Sequence, residues 1–294
     1  MSVNLGERRK IDAIQTQRFS SGAKPLRTAP PKINPNELMN EGIEDYRFVE
    51  IVYAMDMKKS IVGLTILREY NDEQEKTCLT PIEAEQLTSQ IDEIDLCTFI
   101  AKKLDLRLDV LLIPRNWPVS HTGGNNHIAT LVKGLGTVNQ STSQHDFTGI
   151  QNYINETRGG VRKQHKPLNR AGTMFELLCS TEGNSSWFGD GDAFVVNDKQ
   201  VLALVEWKFT SPSFPVQGES LYRYRSDGGR NQPLRSICSK YQIPLIYVAW
   251  GESHEQAKVD LYKTKNINDT NLSSSRLIPF LPSSFEVLLN EWLG

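Results

Sequence analysis

Gly191-Asp192-Ala193-Phe194-Val195-Val196, the pair Asn197-Asp198, and then Val201-Leu202-Ala203-Leu204-Val205-Glu206-Trp207-Lys208 form the stretch that decides the fold. Two short apolar runs rich in β-branched and aromatic residues, separated by Asn-Asp, predict a hairpin whose strands are buried on both faces. Strand alternation puts Glu206 and Lys208 on one face and Trp207 on the other. Asp192 opens the first strand and lies across from them once the hairpin closes. A carboxylate on so apolar a strand is costly unless a cation satisfies it. Two acids and a lysine at one end of a hairpin therefore predict a metal-binding constellation. A neighbouring Glu206–Lys208 ion pair on an edge strand is the alternative. Asp190 also falls near the strand start, but Asp192 directly precedes the apolar run and is the preferred ligand.

The pattern Gly191-Asp192 followed by Glu206-Trp207-Lys208 resembles the PD-(D/E)XK nuclease superfamily, in which an acid opening one strand and an acid-x-lysine on the next form the active site. Upstream, Gly172-Thr173-Met174-Phe175-Glu176-Leu177-Leu178 is similar to the glutamate-bearing helix that precedes this hairpin in many members. Downstream, Arg230 to Lys240 and then Ile243 to Trp250 resemble the helix and strand that complete the core. The resemblance covers the second half of the chain. It implies an α/β fold with a restriction-endonuclease-like core, a mixed central sheet flanked by helices, preceded by an N-terminal α+β region. The expected organisation is a basic, proline-containing arm over 1–36, unstructured or ordered only on binding, an α+β region of unassigned role over 37–150, and a nuclease domain over 151–294.

An acid-x-lysine triplet is cheap by chance, and Asp56-Met57-Lys58 supplies a decoy, with Glu44 and Asp45 upstream. Tyr46 to Met55, however, contains no residue that turns a chain and reads as one strand, so those acids fall at its opposite ends. The Asp192 to Lys208 set keeps its turn and its preceding helix.

Phosphodiester hydrolysis needs charge neutralisation and an activated water, both of which a divalent metal supplies. Hard oxygen donors without nearby cysteine or histidine point to Mg²⁺, with Mn²⁺ as a substitute. The resemblance assigns Asp192 and Glu206 as metal ligands and the Trp207 backbone carbonyl as a third. Lys208 then orients or deprotonates the attacking water, or stabilises the phosphorus centre. From periodicity, Glu176 is as readily a solvated helix position as a functional one; the resemblance raises it to a further ligand, direct or through water.

The sequence has 294 residues, a net charge of −2 and 23% charged residues, which excludes a protein that coats nucleic acid over its whole surface. Local recognition is compatible with two basic clusters. Arg158, Arg162, Lys163, Lys166 and Arg170 precede the Glu176 helix, and Arg223, Arg225, Arg230, Arg235 and Lys240 follow the lysine, interleaved with Tyr222 and Tyr224. No segment is long and apolar enough to span a bilayer, and the N-terminus lacks a signal-peptide core, so no membrane association and a cytoplasmic location are expected. The four cysteines are widely spaced, as suits free thiols in a reducing compartment. His121 and His127 lack the further ligands of a zinc site.

Further expected elements are strands at Tyr46–Met55, Ser60–Arg68 and Leu106–Ile113, one helix over Pro81–Leu104 capped by Thr80, and a C-terminal amphipathic helix over Phe285–Leu293. The expected activity is a metal-dependent endonuclease on double-stranded DNA, a type II restriction or phage-defence enzyme acting as a homodimer. A structure-specific repair or recombination nuclease, or a nuclease subunit of a larger complex, is the alternative, with a non-catalytic nucleic-acid-binding protein third.

Overall fold

A computed structural model describes residues 3–4, 34–55, 61–70, 78–114, 128–158, 189–210, 214–222, 232–251, 255–266 and 269–294. In chain order the elements are β1 (Val3–Asn4), α1 (Pro35–Gly42), β2 (Arg47–Met55), β3 (Ile61–Tyr70), α2 (Pro81–Ser89), α3 (Ile94–Lys103), β4 (Arg107–Pro114), β5 (Ala129–Lys133), β6 (Ser141–His145) and α4 (Phe147–Arg158). They continue with β7 (Gly189–Val196), β8 (Val201–Phe209), α5 (Gln232–Tyr241), β9 (Leu245–Trp250), β10 (Gln256–Asn266), β11 (Asp269–Pro279) and α6 (Pro282–Leu293). The protein is a mixed α/β structure whose sheets are flanked by helices.

Two compact units divide the chain: residues 28–51, 59–61 and 190–294 form one, and 1–27, 52–58 and 62–189 the other. In the unit that holds β7 and β8, the strand order is β11-β10-β9-β8-β7-β2. β7 and β8 are antiparallel, β8 and β9 are parallel with α5 between them in the chain, and β9, β10 and β11 run antiparallel. One face of this sheet carries Ala193, Val195, Val205, Ile246, Val248, Trp250 and Val259, which pack with Met39 and Ile43 from α1 and its C-cap and with Phe285, Leu288 and Leu289 of α6. The C-terminal helix thus lays its apolar stripe on the core, as its amphipathic pattern leads one to expect. Tyr46 Oη adds a 2.7 Å hydrogen bond to Asn290 Oδ1.

In the other unit the order is β3-β4-β5-β6, with β3 and β4 parallel and β4, β5 and β6 antiparallel. The expected single helix over Pro81–Leu104 is two helices. Thr80 caps the first through a full capping box with Glu83, but the chain turns at Gln90–Glu93, with Glu93 left-handed at φ 62°. The break rotates the apolar stripe so that Leu87 and Ile91, then Cys97 and Ile100, are all buried, while Ile82 is exposed. A continuous helix could not present all of these to one core.

Arg47–Met55 is a single strand, as the decoy comparison requires; Asp56-Met57-Lys58 lies outside the described residues. Most of the expected basic arm also lies outside them, apart from Val3–Asn4, which pairs antiparallel with Tyr70 and Glu69, and Asn34 onward. Among the described residues no helix is long and apolar enough to cross a membrane.

Candidate functional site

The hairpin turns where Asn-Asp predicts it. Asn197 Oδ1 accepts from the Lys199 and Gln200 amides at 3.0 and 2.9 Å, and the Asn197 amide donates to Gln200 O. Such side-chain mimicry of a backbone turn is the reason asparagine favours this position. Away from the turn, the ladder pairs Ala193 with Val205 and Phe194 with Leu204. Trp207 packs on the core face, in ring contact with Phe48, Phe280 and Phe285, so Glu206 and Lys208 occupy the opposite face. Both are partly buried, as is Asp192.

The end of the hairpin that bears the acids is closed by side chains. Asp192 Oδ2 accepts the Trp207 backbone N–H at 2.5 Å. The Asp192 backbone carbonyl accepts from Asn36 Nδ2 at 2.9 Å, and Asn36 Oδ1 accepts the Trp207 indole N–H at 2.8 Å. Asn36 is 7% exposed and sits in the first turn of α1, after Asn34 at the N-cap and Pro35. Nothing in the sequence points to it: it lies 156 residues from Asp192 and 171 from Trp207.

Strand register extends the acid-bearing face sideways. Glu206 lies beside Tyr247 on β9, Tyr247 beside Asp260 on β10, and Asp260 beside Ser275 on β11. One step along, Lys208 lies beside Ala249 and Ala249 beside Lys258. The polar members of this row are knitted together. Asp260, 1% exposed, takes Lys258 Nζ at 3.0 Å, Tyr262 Oη at 3.2 Å and Ser275 Oγ at 2.5 Å. Burial, then the adjacent Asp260 carboxylate, raises the Tyr262 phenol well above its ordinary range.

The same row grips the chain that follows Lys208. Glu219, buried at 1% exposure, accepts from Tyr247 Oη at 3.2 Å and from the Ser220 amide, and its carbonyl receives Lys258 Nζ at 2.6 Å. Tyr222 packs edge-on against Tyr262, and the Arg235 guanidinium lies 5.6 Å from the Tyr222 ring centroid. Sequence reasoning singled out this region for its arginines, and missed the acid that anchors it.

The structure thus brings Asp192, Glu206, Trp207 and Lys208 to one end of adjacent strands. Carboxylate and carbonyl oxygens are a hard donor set, chemically suited to Mg²⁺ or Mn²⁺. Among the described residues no group of three or more His, Cys, Asp and Glu is placed to hold a metal ion. Glu176, the expected further acid, lies outside them, as do Arg162, Lys163, Lys166, Arg170, Arg223, Arg225 and Arg230 and the histidines 121 and 127. The Asp190 side chain is likewise outside, whereas Asp192 has the geometry just given.

No family model matches the chain, and no curated protein does. Among solved structures, a sex pheromone precursor from Lactobacillus salivarius is 11% identical with a TM-score of 0.17, over 75% of this chain and 63% of that one. The chain therefore spans less than two thirds of that protein. The precursor of the sex pheromone staph-cAM373 is 12% identical with a TM-score of 0.21, over 90% of this chain and 88% of that one. Neither similarity reaches the level at which folds correspond.

Proposed function

We propose that the protein is a metal-dependent DNA endonuclease with a restriction-endonuclease-like core, of the type II restriction or phage-defence kind. The observation that carries the proposal is the pairing of Asp192 with the Trp207 amide, which sets an acid inside β7, a strand that begins at Gly189 rather than at Asp192, against the acid-x-lysine of β8. The antiparallel β7–β8 pair, followed by α5 and a parallel β9, supports it, being the strand and helix succession that the resemblance calls for.

Asp192, Glu206 and the Trp207 carbonyl would hold Mg²⁺, or Mn²⁺ in its place, with Glu176 as a further ligand. The ion supplies charge neutralisation at the scissile phosphate and a bound water of lowered pKa. Lys208, on the same face as Glu206, orients the water or takes its proton. Partial burial of both side chains strengthens their electrostatic action relative to open water. Two chains, each with one such site, would cut both strands of a duplex, hence a homodimer. The basic residues Arg162, Lys163, Lys166, Arg170, Arg223, Arg225 and Arg230 would contact phosphates, giving strongly salt-dependent binding.

The test is incubation of purified protein with plasmid, single-stranded DNA, branched DNA and RNA, each with Mg²⁺, Mn²⁺ or EDTA. Discrete plasmid fragments that require the metal are expected. Branch-dependent nicking would instead favour a repair or recombination nuclease, and absence of metal-dependent cleavage on every substrate would overturn the proposal.

A further inference from the structure

The Asn36 side chain completes a cycle of three hydrogen bonds: Asn36 Nδ2 to the Asp192 carbonyl, the Trp207 amide to the Asp192 carboxylate, and the Trp207 indole to Asn36 Oδ1. Its amide has one permitted orientation here, because a backbone carbonyl can only accept and an indole N–H can only donate. Each half of the amide is matched, and an isosteric carboxylate would turn the first contact into a repulsion.

The helix that presents Asn36 is itself fixed. Asn40 exchanges two hydrogen bonds with the Phe48 backbone on β2, at 2.9 and 2.7 Å, and Met39 is fully buried in the core shared with β7 and β8. α1 therefore acts as a bracket, attached to β2 through Asn40 and gripping the acid-bearing end of the hairpin with its first turn. The grip falls next to the Ala193–Val205 pair of the ladder, at the adjoining residue Asp192. There the three hydrogen bonds tie Asp192 to Trp207 and so fix the mutual geometry of Asp192, Glu206 and the Trp207 carbonyl.

We infer that Asn36 is a positioning residue of this site: by holding the Asp192 main chain and the Trp207 ring, it fixes the oxygen donors that would receive a divalent ion. The inference rests on the nuclease proposal. Groups that orient metal ligands typically change metal affinity about 10–100-fold when removed. A group that merely stabilises the fold lowers melting temperature without changing affinity in the folded protein.

The experiment compares wild type with Asn36→Ala, Asn36→Asp and Trp207→Phe, the last retaining the ring but not the indole donor. Mn²⁺ alone is titrated calorimetrically without DNA, plasmid cleavage is followed against Mn²⁺ concentration, and near-ultraviolet circular dichroism certifies folding. Expected is a loss of Mn²⁺ affinity of about tenfold or more in both Asn36 variants, mirrored in the Mn²⁺ needed for half-maximal cleavage. Plasmid affinity in EDTA should be unchanged. Adding Trp207→Phe to Asn36→Ala should cost no further affinity, because the cycle is already open. Wild-type affinity in folded Asn36→Ala and Asn36→Asp would overturn the positioning role while leaving the nuclease proposal standing. A wild type that neither binds Mn²⁺ nor cleaves would overturn the nuclease proposal, and the inference with it.

Discussion

Trp207 gives its backbone N–H to the Asp192 carboxylate, so an acid and the residue between Glu206 and Lys208 are joined directly. The two oxygens of Asp192 therefore have separable duties. One closes the hairpin, and under the nuclease proposal the charge of the group would serve the metal ion. Asp192→Asn keeps an acceptor for the Trp207 amide and should remain folded, with a melting temperature close to wild type, yet lose Mn²⁺ binding and cleavage. Asp192→Ala removes the acceptor as well and should cost about 1–2 kcal/mol in addition, since Asp192 is only partly buried and a charge-assisted hydrogen bond contributes in that range. Urea titration and calorimetry with Mn²⁺ distinguish the two effects. Equal stability of the Asn and Ala variants would show that the hydrogen bond contributes nothing.

Lys208→Ala tests the proposed chemistry at a different point. Lys208 belongs to the same face as Glu206, so its loss should leave plasmid binding largely intact and lower the cleavage rate by at least about 100-fold, the usual scale for a proton-transfer group. Cleavage at the wild-type rate would remove Lys208 from the site.

The hairpin, its Asn-Asp turn and the face shared by Glu206 and Lys208 were legible because each depends on local chemistry: β-branched runs, a side chain that mimics a turn, and strand alternation. The helix and strand that follow, α5 and β9, were expected from the resemblance, and their parallel pairing with β8 came from the structure. β11 was not legible. Its sequence, Asp269–Pro279, holds three consecutive serines and reads as a polar loop, yet β10 supplies it with a partner, and an edge strand with exposed residues needs no apolar run. Asn36 was invisible for a deeper reason. An asparagine after Asn34-Pro35 reads as the end of a basic arm, and its value comes from partners more than 150 residues away, which no local pattern encodes. Glu219 and Asp260 share this character: each is an acid whose burial is made tolerable by residues brought together only by the strand order.

The anchor at Glu219 should be needed for the order of the chain after Lys208. Tyr247→Phe removes a hydrogen bond to a buried carboxylate and Lys258→Met removes the cation from Glu219 O and Asp260 Oδ2. The first should cost about 1–2 kcal/mol. The second should cost more, about 3 kcal/mol, because Asp260 is left buried without its cation. Hydrogen exchange should quicken at residues 219–222 in both variants and stay unchanged at Val195 and Ala203. Uniform quickening across the unit would mean that the network stabilises the fold as a whole and anchors nothing in particular.

A third buried acid, Asp109, lies in the other unit. Asp109, 1% exposed in the middle of β4, is bound by the Arg107 guanidinium at 2.8 Å, Tyr153 Oη at 2.6 Å and the Gly134 amide at 2.8 Å. It ties α4 and the left-handed turn at Gly134, φ 67°, to the strand. Burial, then Asp109, raises the Tyr153 phenol far above its ordinary range. Asp109→Ala should destabilise by about 3 kcal/mol, leaving three donors without their acceptor, whereas Tyr153→Phe should cost about 1 kcal/mol. Chemical denaturation measures both. A milder effect for Asp109→Ala than for Tyr153→Phe would mean that the arginine and the amide find other partners.

Alkaline stability follows from a buried thiol. Burial pushes the Cys97 thiol from 9.0 up to about 12, Arg68 opposing and Glu93 reinforcing the shift. The folded state therefore holds this proton where the unfolded chain releases it. The associated stability is complete below pH 9 and declines as pH rises through the folded value, at about 1.4 kcal/mol per pH unit inside that window. Cys238, fully buried, and the phenols of Tyr153 and Tyr262 shift in the same direction and steepen the decline. Cys97→Ala should be less stable than wild type at pH 7, through loss of packing, and should lose stability less steeply between pH 9 and 12, so that the two curves converge. Equilibrium urea unfolding at stepped pH values measures this. Parallel curves would show that the Cys97 thiolate forms in the folded protein as easily as in the unfolded chain, and that the burial around α3 does not exclude charge.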